Sequence, residues 1–156
     1  MKPVVEQIAD KIRQRLGLTR GVSGVVRPTR TGGFKPEDFQ IVFAQDSDTK
    51  NEPLSCPGNP PLDARNQPFR IAAELLQSKN DKDAIDTLRN QFAAFVKQAL
   101  TTSSGTYWGQ WDGLAINSIL TDVETYLGEG DQVAGFRVVL TVIYRTPENN
   151  PFQAVG

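Results

Sequence analysis

The sequence contains no histidine and only one cysteine, Cys56, among its 156 residues. Histidine is the commonest general base at neutral pH and the commonest zinc ligand, so its absence removes most familiar hydrolase designs. A single cysteine excludes an internal disulfide framework and fits synthesis in a reducing cytoplasm. No apolar run approaches the roughly 18 residues that mark a membrane span. The N-terminus, Met1-Lys2-Pro3, enters an amphipathic segment instead of the apolar stretch of a signal peptide. The expectation is a protein that stays where it is made, without membrane contact, and is stabilised by packing and by assembly.

Ligand signatures are scarce too. There is no Walker-type phosphate loop, and no G-x-G-x-x-G follows a strand. Cys56 lies in Ser55-Cys56-Pro57-Gly58-Asn59-Pro60-Pro61, and the proline after it lacks the N–H that an oxyanion site needs, so a small packing side chain is the plain reading. Asp46, Asp48 and Glu52 hint at a calcium loop. Asn51 stands where that loop needs glycine, and Pro57 where it needs a closing glutamate, so a solvated acidic turn is expected. The carboxylate pairs Asp81/Asp83 and Asp122/Glu124 read as solvated surface. The sequence points to no enzyme, no cofactor and no metal.

What is present suffices for one core. Hydrophobic residues make up 38% and charged residues 22%, a balance far from that of disordered chains, and the length fits a single domain over residues 1–156. The net charge of −1 conceals a segregation. Residues 11–36 carry seven bases (Lys11, Arg13, Arg15, Arg20, Arg27, Arg30, Lys35) and no acid. Taking those seven from the 17 bases leaves 10 against 18 acids, a net of −8 for the remainder. Residues 98–136 carry five acids (Asp112, Asp122, Glu124, Glu129, Asp131) and no base.

Val5, Ile8, Ile12 and Leu16 recur at helical spacing between Pro3 and Gly17. Val25 to Thr31, ending at Gly32-Gly33, and the alternating run Asp38 to Ala44 predict a hairpin. Residues 46–68, with five prolines, predict a long stiff loop. Phe69 to Leu76 reads as a strand. Ile85, Leu88, Phe92, Val96 and Leu100 form the clearest helical stripe, over Asp83 to Thr101, with Asp83 as its cap. Leu114 to Tyr126 and Phe136 to Arg145 read as the closing strands, the last apolar on both faces and therefore central or covered on both sides. This order predicts an α+β two-layer sandwich, a mostly antiparallel sheet with two main helices on one face.

Arg27 and Arg30 flank the expected hairpin and, with Arg20 and Lys35, suit phosphate oxygens or an acidic partner. Tyr107, Trp108 and Trp111, in a glycine-rich connection, either plug the core edge or anchor a partner. Acidic Asp122, Glu124, Glu129 and Asp131 complement the basic segment, so copies meeting head to tail would satisfy both patches.

Three segments resemble small neck and tail proteins of tailed phages: KPEDFQIVFAQ (35–45) followed by LSCPGNPPLDARNQPFRI (54–71); NDKDAIDTLRNQFAAFVKQALTT (80–102); and FRVVLTVIYRTPENNPF (136–152). The resemblance implies a lambda-like tail-terminator fold, in which a hexameric ring caps the tail tube and offers its other face to the head connector. It implies a virion component made in the host cytoplasm, with the tube protein, the connector and further copies as partners, and contact with genomic DNA in the channel. It singles out Pro57, Gly58, Asn59, Pro60 and Pro61 as a structured loop and Tyr144 to Phe152 as the exit from the last strand, and it supplies no catalytic residue. Two alternatives stand beside it: a neck adaptor bound to the portal, and a nucleic-acid-binding module using the basic segment 11–36.

Overall fold

Val4, Ile8, Ile12 and Leu16 are fully buried in the computed structural model, which describes residues 1–28, 38–76, 84–102, 108–127 and 133–156. They line one side of helix α1 (Val4–Leu16). Val4 takes the innermost place in the first turn, and Val5 is only half-buried. Strands β1 (Gly24–Val26), β2 (Gln40–Gln45), β3 (Thr49–Lys50) and β4 (Leu62–Leu76) follow, then helix α2 (Ile85–Thr101) and strands β5 (Asn117–Leu127) and β6 (Val133–Pro147).

The described strands form an open sheet in the order β1-β2-β4-β6-β5, with β3 also on β4. Every pairing is antiparallel except β1 with β2. Phe69, Ile71, Ala73 and Leu75 of β4 alternate with more exposed neighbours, and so do Phe136, Val138, Leu140 and Val142 of β6. These residues join both helices in one core, where Phe92 of α2 meets Phe39 and Phe136 edge-on. The architecture is the α+β arrangement the sequence predicted.

Local expectations needed correction. The hairpin of β1 and β2 is a parallel pair, Gly24 beside Gln40 and Val26 beside Val42. Arg27, just past β1, bonds Glu6 of α1 and Gln45 at the end of β2, and these side-chain bonds hold the two strand ends together in the same direction. The expected loop over 46–68 ends at residue 61, because β4 starts at Leu62. A proline inside a sheet argues against a central strand, yet Pro68 costs no hydrogen bond to β6. Its carbonyl accepts from Asp46 N–H, so its ring nitrogen also faces the corner where the chain leaves β2.

Instead of starting at Leu114, β5 begins at Asn117, after a turn with Trp111, Asp112 and Gly113 at positive φ. An irregularity between Thr121 and Glu124 then shifts its alternation, leaving Ser118, Leu120, Thr125 and Leu127 on the helix side and Ile119 outward. β6 is central, as expected, but its Val139 and Ile143 are half-buried on a sheet face that no described element layers over. The proposed Asp83 cap lies outside the described residues.

Candidate assembly surfaces

Arg27 is an internal fastener. Its guanidinium donates to both Glu6 carboxylate oxygens, at 2.8 and 3.0 Å, and to Gln45 Oε1 at 3.0 Å, and it lies over the Phe43 ring. Gln45 donates in turn to Gln67, a side chain 1% exposed whose Nε2 donates to the carbonyls of Asp46 and Pro68. This chain of bonds ties α1, β1, β2 and β4 together, and a bidentate Arg–carboxylate pair is the strong kind. Arg27 is therefore satisfied within its own protomer.

Other bases are less engaged. Lys11 pairs with Asp112 at 3.2 Å, and Arg15 donates to the Thr102 carbonyl at the end of α2. Arg20 is exposed and stacks over Phe95. Arg30 and Lys35 lie outside the described residues.

Of the aromatic trio, Trp111 is buried at 4% exposure, its Nε1 donating to Ser118 Oγ at 2.9 Å while Ser118 donates to the Gly109 carbonyl. It closes the core edge where the chain enters β5. Trp108 is half-buried against the same core, and Tyr107 lies outside the described residues. Among the acids, Glu124 is exposed on the outer sheet face. Asp122 sits at the β5 irregularity with its side chain outside the described set, as are Glu129 and Asp131 altogether.

The proline loop is the most structured of the singled-out segments. Asn51 caps the 3-10 turn Glu52–Leu54 and bonds Asn66, Cys56 and Leu62 form an isolated bridge, and the Asn59–Pro60 peptide is cis. This loop is fastened to the chain exit. Leu62 is registered with Pro147, and Glu148 N–H donates to the Pro61 carbonyl at 2.8 Å. Arg145 donates to the Leu54 and Gly156 carbonyls and lies 3.8 Å from the exposed Cys56 sulfur. The tail also closes on α1 through Val4 N–H to the Pro151 carbonyl. Pro57, Gly58, Asn59, Pro60 and Pro61 are all exposed at this end.

Sequence reasoning missed the uncovered sheet face. Val42, Ala44, Ala72 and Val139 line a depression of about 550 Å³ there, with Arg70, Arg137 and Glu124. At its margin Tyr126 crosses over Gly135, receives the Arg137 guanidinium at 5.2 Å and donates to Glu74 at 2.7 Å. Burial, the bond to Glu74 and its charge push the Tyr126 phenol pKa well above its ordinary value. Tyr144, mainly through burial, is raised as well. The missed signal was the glycine at position 135 inside an apolar strand.

Among the described residues, no three potential metal ligands cluster, and no helix is long and apolar enough to cross a membrane. No protein-family model matches the chain, and no curated protein matches it. A solved structure titled as the virion of a native gene transfer agent particle contains a similar chain, with a TM-score of 0.38 and 9% identity over 90% of each chain. A likeness that distant carries no argument about function.

Proposed function

We propose that this protein is a non-catalytic structural subunit of a tailed-phage virion, forming a hexameric ring that caps the tail tube and joins it to the head connector. One observation carries the reading. The proline loop and the closing strand, two of the stretches that carry the resemblance to tail terminators, lie about 90 residues apart and are bonded to each other through Arg145, Leu62–Pro147 and Pro61–Glu148. The result is a stiff, proline-faced end on a pair of 15-residue strands, a surface suited to a fixed contact that needs no rearrangement. The tube protein and connector are the partners in this reading.

The test is particle mass from light scattering together with electron micrographs, for the protein alone and with tail tubes. Sixfold rings on tube ends support the reading, and twelvefold rings on portals would move the assignment to a neck adaptor. A monomer without affinity for tube or connector refutes both. The nucleic-acid reading loses its Arg27 contact to Glu6, and absence of duplex binding at low salt eliminates it.

A further inference from the structure

The turn after α1 holds apolar surface in water. Leu18 is 74% exposed, while Leu16, two residues earlier, is fully buried. The backbone fixes that exposure: Leu18 N–H donates to the Arg15 carbonyl, Thr19 N–H to the Leu16 carbonyl, and Val22 N–H to the Thr19 carbonyl. Thr19 is itself buried, so its neighbours Leu18 and Arg20 stand outward from a held turn. With Phe95 and Ala99 of α2 they border a groove of about 200 Å³, of which Arg15 forms a further wall. Apolar surface presented on a pre-formed turn suits docking better than solvation.

Charge around the groove has one sign. Among the described residues, no acid lines it. Arg13 and Arg15 lie in the last turn of α1, where bases complement the negative end of the helix. Arg20 lies in the turn beyond the helix, with its guanidinium 5.4 Å from the centre of the Phe95 ring, and it makes no ion pair with a described carboxylate. Arg15 donates to the Thr102 carbonyl, which occupies one nitrogen of its guanidinium. Many of the chain's own acids are committed elsewhere. Glu6, Asp10, Asp46, Asp63 and Asp112 each face a base of their own chain, Glu74 accepts from Tyr126, and Glu124 stands opposite Arg137 in the β5–β6 register. A complementary acid is best supplied by another protein.

We propose that the α1–α2 groove is a docking site for an acidic segment of a different protein, one that carries a single bulky apolar side chain between its carboxylates. The side chain fills the space between Leu18, Phe95 and Ala99, and the flanking carboxylates meet Arg15 and Arg20. Guanidinium–carboxylate contacts supply the selectivity, and the apolar side chain, enclosed with Leu18, supplies the anchor. Docking of this kind requires no ring and goes beyond the proposed function.

The test uses the purified protein and a pool of labelled synthetic peptides made of Asp, Glu and Ser around one central Leu, Phe or Trp. Fluorescence anisotropy at low salt and amide chemical shifts supply the readouts. Members of the pool should bind and move the Leu18 and Ala99 amide signals. Arg20→Glu should weaken that binding about tenfold or more, and Leu18→Ser should weaken it for the same peptides. Lys50→Glu, outside the groove, should leave it unchanged. Leu18 and Arg20 are exposed, so their variants should fold, and circular dichroism melts check that they do. A pool without a binding member overturns the proposal. So does binding that Lys50→Glu weakens as much as Arg20→Glu, the mark of general attraction to basic charge, and so does binding undiminished when alanine replaces the central apolar residue. Self-association that Arg20→Glu abolishes, without peptide binding, overturns it in favour of a contact between copies.

Discussion

Substituting Gly135→Ala tests how the uncovered sheet face is held. A Cβ at Gly135 would sit 2.3 Å from Tyr126 Cζ and 2.4 Å from its hydroxyl, so the ring must swing off β6. That movement breaks the 2.7 Å bond to Glu74 and removes the ring from beneath Arg137. A hydrogen bond to a charged group contributes about 1.5–3 kcal/mol, with the lower end appropriate to this half-buried site. The cation–π contact adds about 0.5–1 kcal/mol. Replacing glycine in a strand returns about 0.5–1 kcal/mol. The net expectation is a loss of about 1–2 kcal/mol, a fall in Tm of about 3–6 °C for a chain this long. Thermal melts at fixed protein concentration should be recorded for Gly135→Ala, Tyr126→Ala and the double variant. With Tyr126 removed, the three atoms nearest the added Cβ are gone, and the alanine should be neutral or stabilising. The reasoning fails if Gly135→Ala melts like the parent, or if it costs as much without Tyr126 as with it.

Other outcomes follow from the same contacts. Arg27→Lys keeps the charge but loses the fork onto Glu6 and Gln45, and should cost about 1–2 kcal/mol by urea denaturation; a cost equal in a Glu6→Gln background would show that the pair is not coupled. Trp111→Phe deletes the donor to buried Ser118 and leaves a gap at the core edge, so the denaturation midpoint should fall by the equivalent of about 1–3 kcal/mol with an unchanged m-value. Tyr126 and Tyr144 have folded pKa values raised above the ordinary 10.0, so the folded state holds protons that the unfolded chain releases. Their contribution to stability is complete below about pH 10 and declines as pH rises beyond it. At the pH where free tyrosine is half ionised, the native protein should show less phenolate absorbance than the denatured chain, and identical titrations would refute the raised values.

Periodicity made both helices, the alternation of the second half of β4 and of β6, and the α+β class legible, because burying one apolar face is a local property of the chain. The five prolines of residues 46–68 marked a stiff segment, since proline restricts the backbone wherever it occurs, while 57–61 were singled out by the resemblance alone. The parallel direction of β1, the early start of β4 and the placement of Pro68 were not legible. Each depends on partners far along the chain: Arg27 on Glu6 and Gln45, Leu62 on Pro147, and the Pro68 carbonyl on Asp46. Charge was legible as a list but not as a surface. Arg27 and Arg20 look alike in sequence, yet one is spent inside the protomer and the other stands at the mouth of a groove. Sequence alone determined which residues seek burial and which segments stay stiff; only the tertiary structure decided which charges remain available, because pairing depends on distances in space that no local pattern encodes.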